Sequence, residues 1–400
     1  MKKTLLGIAT AACLLASPVA GARAAGDGLE LGPVRMFPAL GVTETYEDNV
    51  FLTSPGEETD WVTTISPALR FALPVRRFLL ELGGQVDIVR HSDFDDEDAT
   101  NWSVQASVGA DFPGGLSFEV TEDYRDRYLV GTQEYGPGED SVHATTAAKV
   151  GYNIRDAFRV ELAWHSNLYV FDTSANRERT ENAYQAGLFW RFRPRISALA
   201  EVAWADFAYD SNLNQDNTAT QAALGVTWDF TTRSTGTAKA GYQWKRYADE
   251  DEALGTENAS SYVVAVGVRH TLTRRTSADL DLSRSFQESD FPGNPYFVQT
   301  EAKAGVTQRF TYKVRGSASV GFRHAEYPKE TTYVSPFDAG QQTIRGERTD
   351  NILTGKLSAG YALRDWLDFE VAWSHARRAS NFDTFEYTAN QVSLGVRAAF

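Results

Sequence analysis

A two-residue alternation of apolar and polar side chains, repeated in one hairpin after another, constrains this chain more than any other feature. In the clearest hairpin, one phase of the first strand is apolar: Trp102, Val104, Ala106, Val108 and Ala110. The other phase is polar or small: Ser103, Gln105, Ser107, Gly109 and Asp111. Because successive side chains of a β-strand point to opposite faces, each such run predicts a strand with one apolar and one polar face.

The connections between these runs alternate between short and long. The tight turns lie at residues 74–76, 113–115, 155–156, 193–194, 232–233, 273–274, 312–313 and 364–365. The longer connections are rich in Pro, Gly, Asn and acidic residues, and lie at residues 53–59, 92–98, 127–140, 172–180, 210–217, 248–258, 287–295, 325–347 and 376–385. The strands of a soluble β-sandwich would also alternate apolar and polar side chains. The regular succession of short and long connections, however, is typical of a membrane barrel. We therefore predict an all-β fold, a transmembrane antiparallel up-and-down β-barrel of about 18 strands, with short periplasmic turns and longer extracellular loops.

The first residues have the features of a secretory signal peptide. Lys2 and Lys3 precede the apolar run 5–15, and small residues lead up to Ala24. We predict a signal peptide over residues 1–24, a short N-terminal periplasmic segment over residues 25–37 and the barrel over residues 38–400. The single cysteine, Cys13, falls inside the leader, so a mature chain would contain no thiol for a disulfide or a metal ligand.

Composition agrees with a barrel better than with a helical membrane protein. Beyond the leader no run approaches the roughly 18 apolar residues of a membrane helix, and the mean hydropathy is −0.37. Aromatic residues make up 12% of the chain, as expected if they form girdles at both membrane boundaries. The girdle nearer the long loops is predicted to contain Tyr124, Trp164, Tyr184, Trp204, Trp244, Tyr262, Phe286 and Trp373.

The net charge of −14 argues against a nucleic acid as partner. Much of the acid excess lies in two loop runs, residues 92–98 and 249–252, which we interpret as solvated loops. Divalent cations bridging to lipopolysaccharide could neutralise them. Neither run has the glycine and the distant glutamate of a calcium-binding loop, so no dedicated metal site is predicted.

The first strand, placed at residues 38–49, fits the alternation least well. Glu44 falls in phase with Leu40, Val42 and Tyr46, so either a bulge shifts the register or the strand lies partly against a lining charge. Asp206 and Arg284 are likewise charged residues on the apolar phase, and both lie close to the outer ends of their strands.

The phase opposite to the apolar one predicts the residues that line the interior. Charges would be prohibitive in a packed apolar core but cost little beside water, so this face predicts a hydrated lumen, wide enough at about 18 strands for an aqueous channel. The basic candidates are Arg125, Lys149, Arg159, Arg191, Lys245, Arg269, Lys303, Arg309, Arg315 and Arg323, and the acidic ones are Glu119, Asp123, Glu161 and Glu201. The cations could form a ladder that guides an anionic polymer, or could pair with acids on neighbouring strands. Lys149 with Glu161 and Lys303 with Asp281 are the pairs that we expect.

No catalytic or cofactor-binding pattern stands out. The six histidines are scattered without metal-ligand spacing, and no glycine-rich phosphate loop follows a strand and opens a helix. His165-Ser166 is the one neighbouring base and hydroxyl that invites comparison with a hydrolase, and a lining or structural histidine is the better interpretation. We predict no enzyme activity, no cofactor and no metal.

Two motifs near the start of the barrel point to a family. Tyr46-Glu47-Asp48-Asn49-Val50-Phe51 is followed by Ile65-Ser66-Pro67-Ala68-Leu69. These segments resemble the type-2 β-barrel porin family associated with exopolysaccharide gene clusters. Phe400, which ends an alternating strand, looks like the C-terminal signature by which outer-membrane barrels reach their insertion machinery.

The resemblance implies a place in the outer membrane of a Gram-negative bacterium, among lipid and lipopolysaccharide. It further implies passage of a secreted exopolysaccharide, beside a periplasmic polysaccharide export protein. Our leading hypothesis is therefore a monomeric conduit for polysaccharide export. The alternatives are a general or sugar-selective diffusion porin, and an outer-membrane enzyme or adhesin whose loops carry the function.

Overall fold

The computed structural model describes residues 28–132, 137–155, 157–210, 216–231, 233–248, 256–289, 291, 294–334 and 343–400. The predicted signal peptide, the acidic run at residues 249–252 and parts of several long connections lie outside these ranges. The described strands are β1 (Leu29–Leu31), β2 (Val34–Glu47), β3 (Asp60–Val75), β4 (Phe78–His91), β5 (Ala99–Asp111), β6 (Leu116–Leu129), β7 (Glu139–Ile154), β8 (Phe158–Phe171), β9 (Arg179–Arg193), β10 (Ile196–Tyr209), β11 (Asn217–Thr231), β12 (Ser234–Tyr247), β13 (Ala259–Thr273), β14 (Thr276–Glu288), β15 (Tyr296–Arg309), β16 (Val314–Val334), β17 (Thr343–Arg364), β18 (Leu367–Ser380) and β19 (Tyr387–Ala399). In the described parts of the long connections, single-turn 3₁₀ helices lie at Asp95–Glu97, Ala175–Arg177 and Asp383–Phe385.

Within the described ranges, the eighteen strands β2 to β19 form one closed barrel. Each strand pairs antiparallel with the next in the sequence, and β19 closes the cylinder by pairing with β2, for example Val396 opposite Val42. The short β1 folds back on the start of β2. The predicted fold class is confirmed. Among the described residues, no helix is long and apolar enough to cross a bilayer.

The outer wall carries the apolar phase of the alternation. Leu224, Leu394 and Val202 are more than half exposed on a strand face that pairs with equally apolar neighbours. Exposed tryptophans and tyrosines gather towards the ends of the strands that meet the long connections, which we call the long-loop end, and Trp102 stacks on Tyr124 with ring centroids 4.9 Å apart. Such a surface suits lipid contact, with an aromatic girdle at the boundary.

The first barrel strand begins earlier than predicted and contains no bulge at Glu44. β2 starts at Val34, and its register with β3 is continuous, with Glu44 opposite Thr63. Glu44 therefore shares the outward phase of Leu40 and Val42, and its Oε2 accepts a hydrogen bond from Thr63 Oγ1 at 2.7 Å. Both explanations that the sequence suggested were wrong, because a neighbouring hydroxyl satisfies the carboxylate on the outer face.

Two connections differ from the prediction. Part of the long loop expected at residues 325–347 is strand, since β16 extends to Val334 and β17 begins at Thr343. A register shift between Glu326 and Glu330, around Pro328, interrupts the apolar alternation and explains why these arms were taken for loop. The described residues of the connection at 287–295, which was expected to face outward, turn back into the barrel, as described below.

Candidate functional site: the inner wall of the barrel

The inner wall of the barrel contains many small side chains among its charged and polar ones. Glycine recurs on the inward phase of the strands, at Gly41, Gly83, Gly109, Gly151, Gly187, Gly225, Gly241, Gly267, Gly305, Gly321, Gly360 and Gly395. Alanine, serine and threonine occupy many of the positions between them. Glycine in a strand weakens it and often marks a close approach of another group. Because small side chains extend only a short way from the wall, they leave room for water in the lumen.

Two of these glycines allow arginines to lie flat along the wall. A Cβ added to Gly151 would come within 2.4 Å of Arg159 Nη2, and one added to Gly360 would lie 2.8 Å from the guanidinium carbon of Arg315. Each arginine thus crosses the wall over a glycine instead of projecting into the lumen. These two arginine side chains therefore narrow the lumen less than extended arginine side chains would.

Most of the predicted basic residues are ion-paired. Glu161 accepts from both Lys149 and Arg159, at 2.8 and 2.7 Å. The other pairs are Arg125 with Asp123 at 2.5 Å, Arg315 with Asp368 at 3.0 Å, Arg323 with Glu301 at 3.6 Å, and Lys239 with the predicted acid Glu201 at 2.6 Å. The expected pair of Lys149 and Glu161 is confirmed. Lys303 does lie opposite Asp281 in the register, as expected, but the close ion pair that it forms is with Glu301, two residues away on the same face of its own strand, at 2.9 Å.

Four of the predicted residues have no ion pair within the described part of the chain. Glu119 lies opposite Lys149 in the register, but Lys149 is already bonded to Glu161. Arg191, Arg269 and Arg309 are exposed and lie in the half of the barrel nearer the tight turns, which we call the short-turn end. Other inward charges, among them Asp111, Asp229, Asp279, Lys356 and Arg397, also have no ion pair within the described ranges, so the wall carries paired and unpaired charges of both signs.

Lys245 has a different environment from the other candidates. Its side chain is only 1% exposed, and its Nζ bonds both the carboxylate of Glu288 and, at 2.5 Å, Asn217 Oδ1. Tyr209 Oη donates to the same carboxylate at 2.7 Å, and Asn217 Nδ2 does so at 3.2 Å. Lys245 is inward-facing but covered, so it does not border open lumen.

The group that covers Lys245 is the end of the β14–β15 hairpin. We call Ser285–Glu288 and Tyr296–Gln299, with the described residues of their connection (Ser289, Phe291, Asn294 and Pro295), the inturned end. Phe286 has the parity of outward-facing Leu280 and Leu282, yet it is 7% exposed and packs on Tyr247 and Tyr296. Its backbone N–H donates to Gln243 Oε1 on the inner face of β12 at 3.3 Å. The outer face of the inturned end therefore lies on the inner face of β12, which corrects the assignment of Phe286 to the lipid-facing girdle.

A second cover lies beside it at the long-loop end. Phe382 and Phe385, from the β18–β19 connection, are 1% and 3% exposed and cluster with Phe291 and Tyr327. They surround Arg348, whose guanidinium lies 3.8 Å from the Phe385 ring centroid and 2.9 Å from Asp350. Sequence analysis missed this cluster. The sequence feature that could have predicted it is the presence of Phe291, Phe382 and Phe385 in otherwise polar connections.

The histidine and serine that suggested a hydrolase do not share a face. His165 has the inward parity of Glu161 and Asn167, whereas Ser166 has the outward parity of Leu162 and Leu168. Within the described ranges, no three acidic or histidine side chains come together in a way that could hold a metal ion.

A closed barrel with an apolar outer wall and a polar, small-residue inner wall defines a β-barrel porin. A family model described as "Putative beta-barrel porin 2" matches residues 24–400, so the chain belongs to that family, a class of outer-membrane barrel. The family to which the two motifs pointed is confirmed; its association with exopolysaccharide genes stays a prediction.

A search of curated proteins returned no match. Among solved structures, OccAB4 of Acinetobacter baumannii is 10% identical, with 91% of this chain and 98% of that chain covered and a TM-score of 0.47. The outer membrane protein OpdK of Pseudomonas aeruginosa is 12% identical, with coverages of 91% and 98% and a TM-score of 0.46. The copper transporter OprC is 11% identical at a TM-score of 0.46, with 86% of this chain covered, and this chain spans only 61% of its length. These similarities are too weak to indicate what passes through the barrel.

Proposed function

We propose that this porin is a passive pore for uncharged or weakly charged, hydroxyl-rich solutes, with a secreted polysaccharide as its substrate. The observation that carries the proposal is the chemistry of the inner wall, where small residues alternate with charges of both signs, many of them paired with one another. Conduction requires contacts weak enough for a solute to leave again. Hydroxyls, backbone and compensated charges provide weak, repeated hydrogen bonding along the wall.

The balance of charge argues for a neutral solute over an ion. Glu161 compensates Lys149 and Arg159, and Glu301 compensates Lys303 and Arg323, so long-range attraction for either sign is small. An uncompensated basic ladder would instead have favoured a polyanion. The polymer itself is proposed from the family resemblance, and a small sugar would meet the same wall chemistry.

The proposal includes a location and partners. The barrel would lie in the outer membrane of a Gram-negative bacterium, with the short-turn end in the periplasm and the long loops outside. Lipopolysaccharide would contact the outer girdle, and a periplasmic polysaccharide export protein would deliver the chain to the short-turn end. The protein would act without enzymatic chemistry, because transport here needs only a passage.

Two experiments test the proposal. Reconstituted barrel should swell liposomes in solutions of neutral sugars, and failure to do so with any sugar would remove the pore function. Deletion of the gene should abolish surface polysaccharide while export of other material continues. If the deletion left polymer output unchanged while the reconstituted barrel admitted sugars, the substrate would be small sugars and not the polysaccharide.

A further inference from the structure

The hydrogen-bond ladder between β13 and β14 ends before the two strands do. Its last pair is Val264 with Arg284, although β13 begins at Ala259 and β14 continues to Glu288. Over the same stretch, β14 stays paired with β15 as far as Glu288 opposite Tyr296. β15 in turn stays paired with β16 as far as Val298 opposite Glu326. The hairpin therefore separates from β13 but remains attached to β16, and Arg284 lies at the point of separation.

Arg284 is fixed on the wall side of that point. Its guanidinium lies 4.6 Å from the ring centroid of Tyr262 on β13, donates to Thr300 Oγ1 at 2.6 Å and pairs with Glu326 at 3.2 Å. The residues that follow it turn inward instead of continuing along β13. This arrangement has the features of a hinge: Arg284 is anchored to the barrel wall, whereas the inturned end that follows it contacts the inner face of the barrel.

Two sets of contacts hold the inturned end inside the barrel. Glu288 accepts from Lys245, Asn217 and Tyr209, which belong to three neighbouring strands of the inner wall. At the other side, Asn294 Nδ2 donates to Thr331 Oγ1 at 2.6 Å, and Phe291 packs on Tyr327 and Phe385. The inturned end thus bridges the inner face of β10–β12 and the extension of β16.

We propose that the inturned end is a gate, hinged at Arg284 and held by Glu288, that sets the size limit of the pore. The inference rests on the proposed pore function and adds its regulation. The gate contacts β10–β12 through hydrogen bonds to their side chains and through ring packing, while its backbone pairing with the wall is confined to β16. It can therefore separate from β10–β12 without unravelling them. Glu288 is the main hold, because removing one partner of a buried ion pair leaves the other charge uncompensated.

The test compares single-channel conductance and sugar size limit for the full chain reconstituted in planar bilayers and liposomes. Glu288→Gln keeps the size of the latch side chain and removes its charge. Phe291→Ala removes the ring on the opposite side of the gate. Glu139→Gln is the matched control, since it removes another buried carboxylate at the long-loop end, paired with Arg177 at 2.7 Å, that lies outside the gate. Heat-modifiable migration on gels confirms that each variant has folded.

The wild type should show brief transitions to a larger conductance level, and Glu288→Gln and Phe291→Ala should lengthen them and admit larger oligosaccharides. Glu139→Gln should keep the wild-type size limit. The proposal would be overturned if both gate variants kept the wild-type conductance and size limit. It would also be overturned if the variants showed a single larger conductance level without transitions, because the inturned end would then be a fixed constriction. If Glu288→Gln does not fold, Phe291→Ala alone decides. A wild type that forms no pore would instead overturn the proposed function.

Discussion

At the scale of single residues, the long-loop end depends on buried charges whose partners come from other strands. The side chain of Asp60, at the start of β3, is fully buried. Its Oδ1 accepts the backbone N–H groups of Trp61, Ser92 and Asp93, at 2.7, 3.1 and 3.1 Å, and its Oδ2 lies 2.8 Å from His91 Nδ1. One carboxylate thereby joins the end of β4 to the start of β3. It lies next to the acidic connection at residues 92–98, whose members Asp93 and Asp95 are exposed.

We expect Asp60→Ala to destabilise the barrel by about 3–5 kcal/mol, since His91 and three N–H groups lose a buried partner. Urea unfolding in lipid vesicles, followed by tryptophan fluorescence, measures the change. Asp95→Ala, in the neighbouring solvated turn, should change stability by less than about 0.5 kcal/mol. Equal effects of the two substitutions would contradict the role given to Asp60.

At the scale of elements, the hydrogen-bond ladder between β13 and β14 is interrupted at the long-loop end, and we call this interruption the seam. Residues 259–263 of β13 pair with β12 but not with β14, because the inturned end takes β14 into the lumen. An unpaired strand edge exposes its N–H groups to water or to chance partners. The seam therefore follows directly from the inward turn of the hairpin.

Hydrogen exchange of the folded barrel should detect this seam. Alternate amides of residues 259–263 should exchange much faster than those of residues 264–270, which pair on both sides. Residues 218–222 of β11, at a comparable distance from the long-loop end and paired with both β10 and β12, provide the control. Uniform protection along β13 would show that the ladder is continuous.

At the scale of the whole molecule, the lumen is made nearly neutral by pairing within the wall. The overall charge of −14 does not describe the pore, because inward acids and bases compensate each other locally. Selectivity should therefore respond to single inner-wall substitutions more than to the net charge of the protein.

Glu161→Gln should shift the reversal potential in a salt gradient towards anion selectivity, because Lys149 and Arg159 both lose their carboxylate. Lys149→Gln should shift it the other way or leave it unchanged, since Arg159 still compensates Glu161. The control is Glu122→Gln: this acid has the outward parity of Val120, bonds Thr146 at 2.6 Å and should leave selectivity unaltered. The same shift from Glu122 and Glu161 would argue against a lumen-specific effect.

Much of the fold could be predicted because a barrel repeats one local rule. Two-residue alternation identified the strands, the tight turns and the lipid-facing phase, and the closure between β19 and β2 follows once eighteen strands curve in one sense. Strand ends were less predictable. Val34 was missed as the start of β2, and the polar arms of β16 and β17 were taken for loop, because strands that continue beyond the membrane no longer need an apolar face.

The sequence by itself determined which face of each strand meets lipid, since burial against hydrocarbon forces the alternation to be visible residue by residue. Only the tertiary structure decided that Phe286 turns inward, that Lys245 is covered and that Lys303 bonds Glu301 in place of Asp281. These outcomes depend on groups from distant strands competing for the same partner. Parity says which side of the wall a side chain occupies, and the three-dimensional arrangement alone says what it meets there.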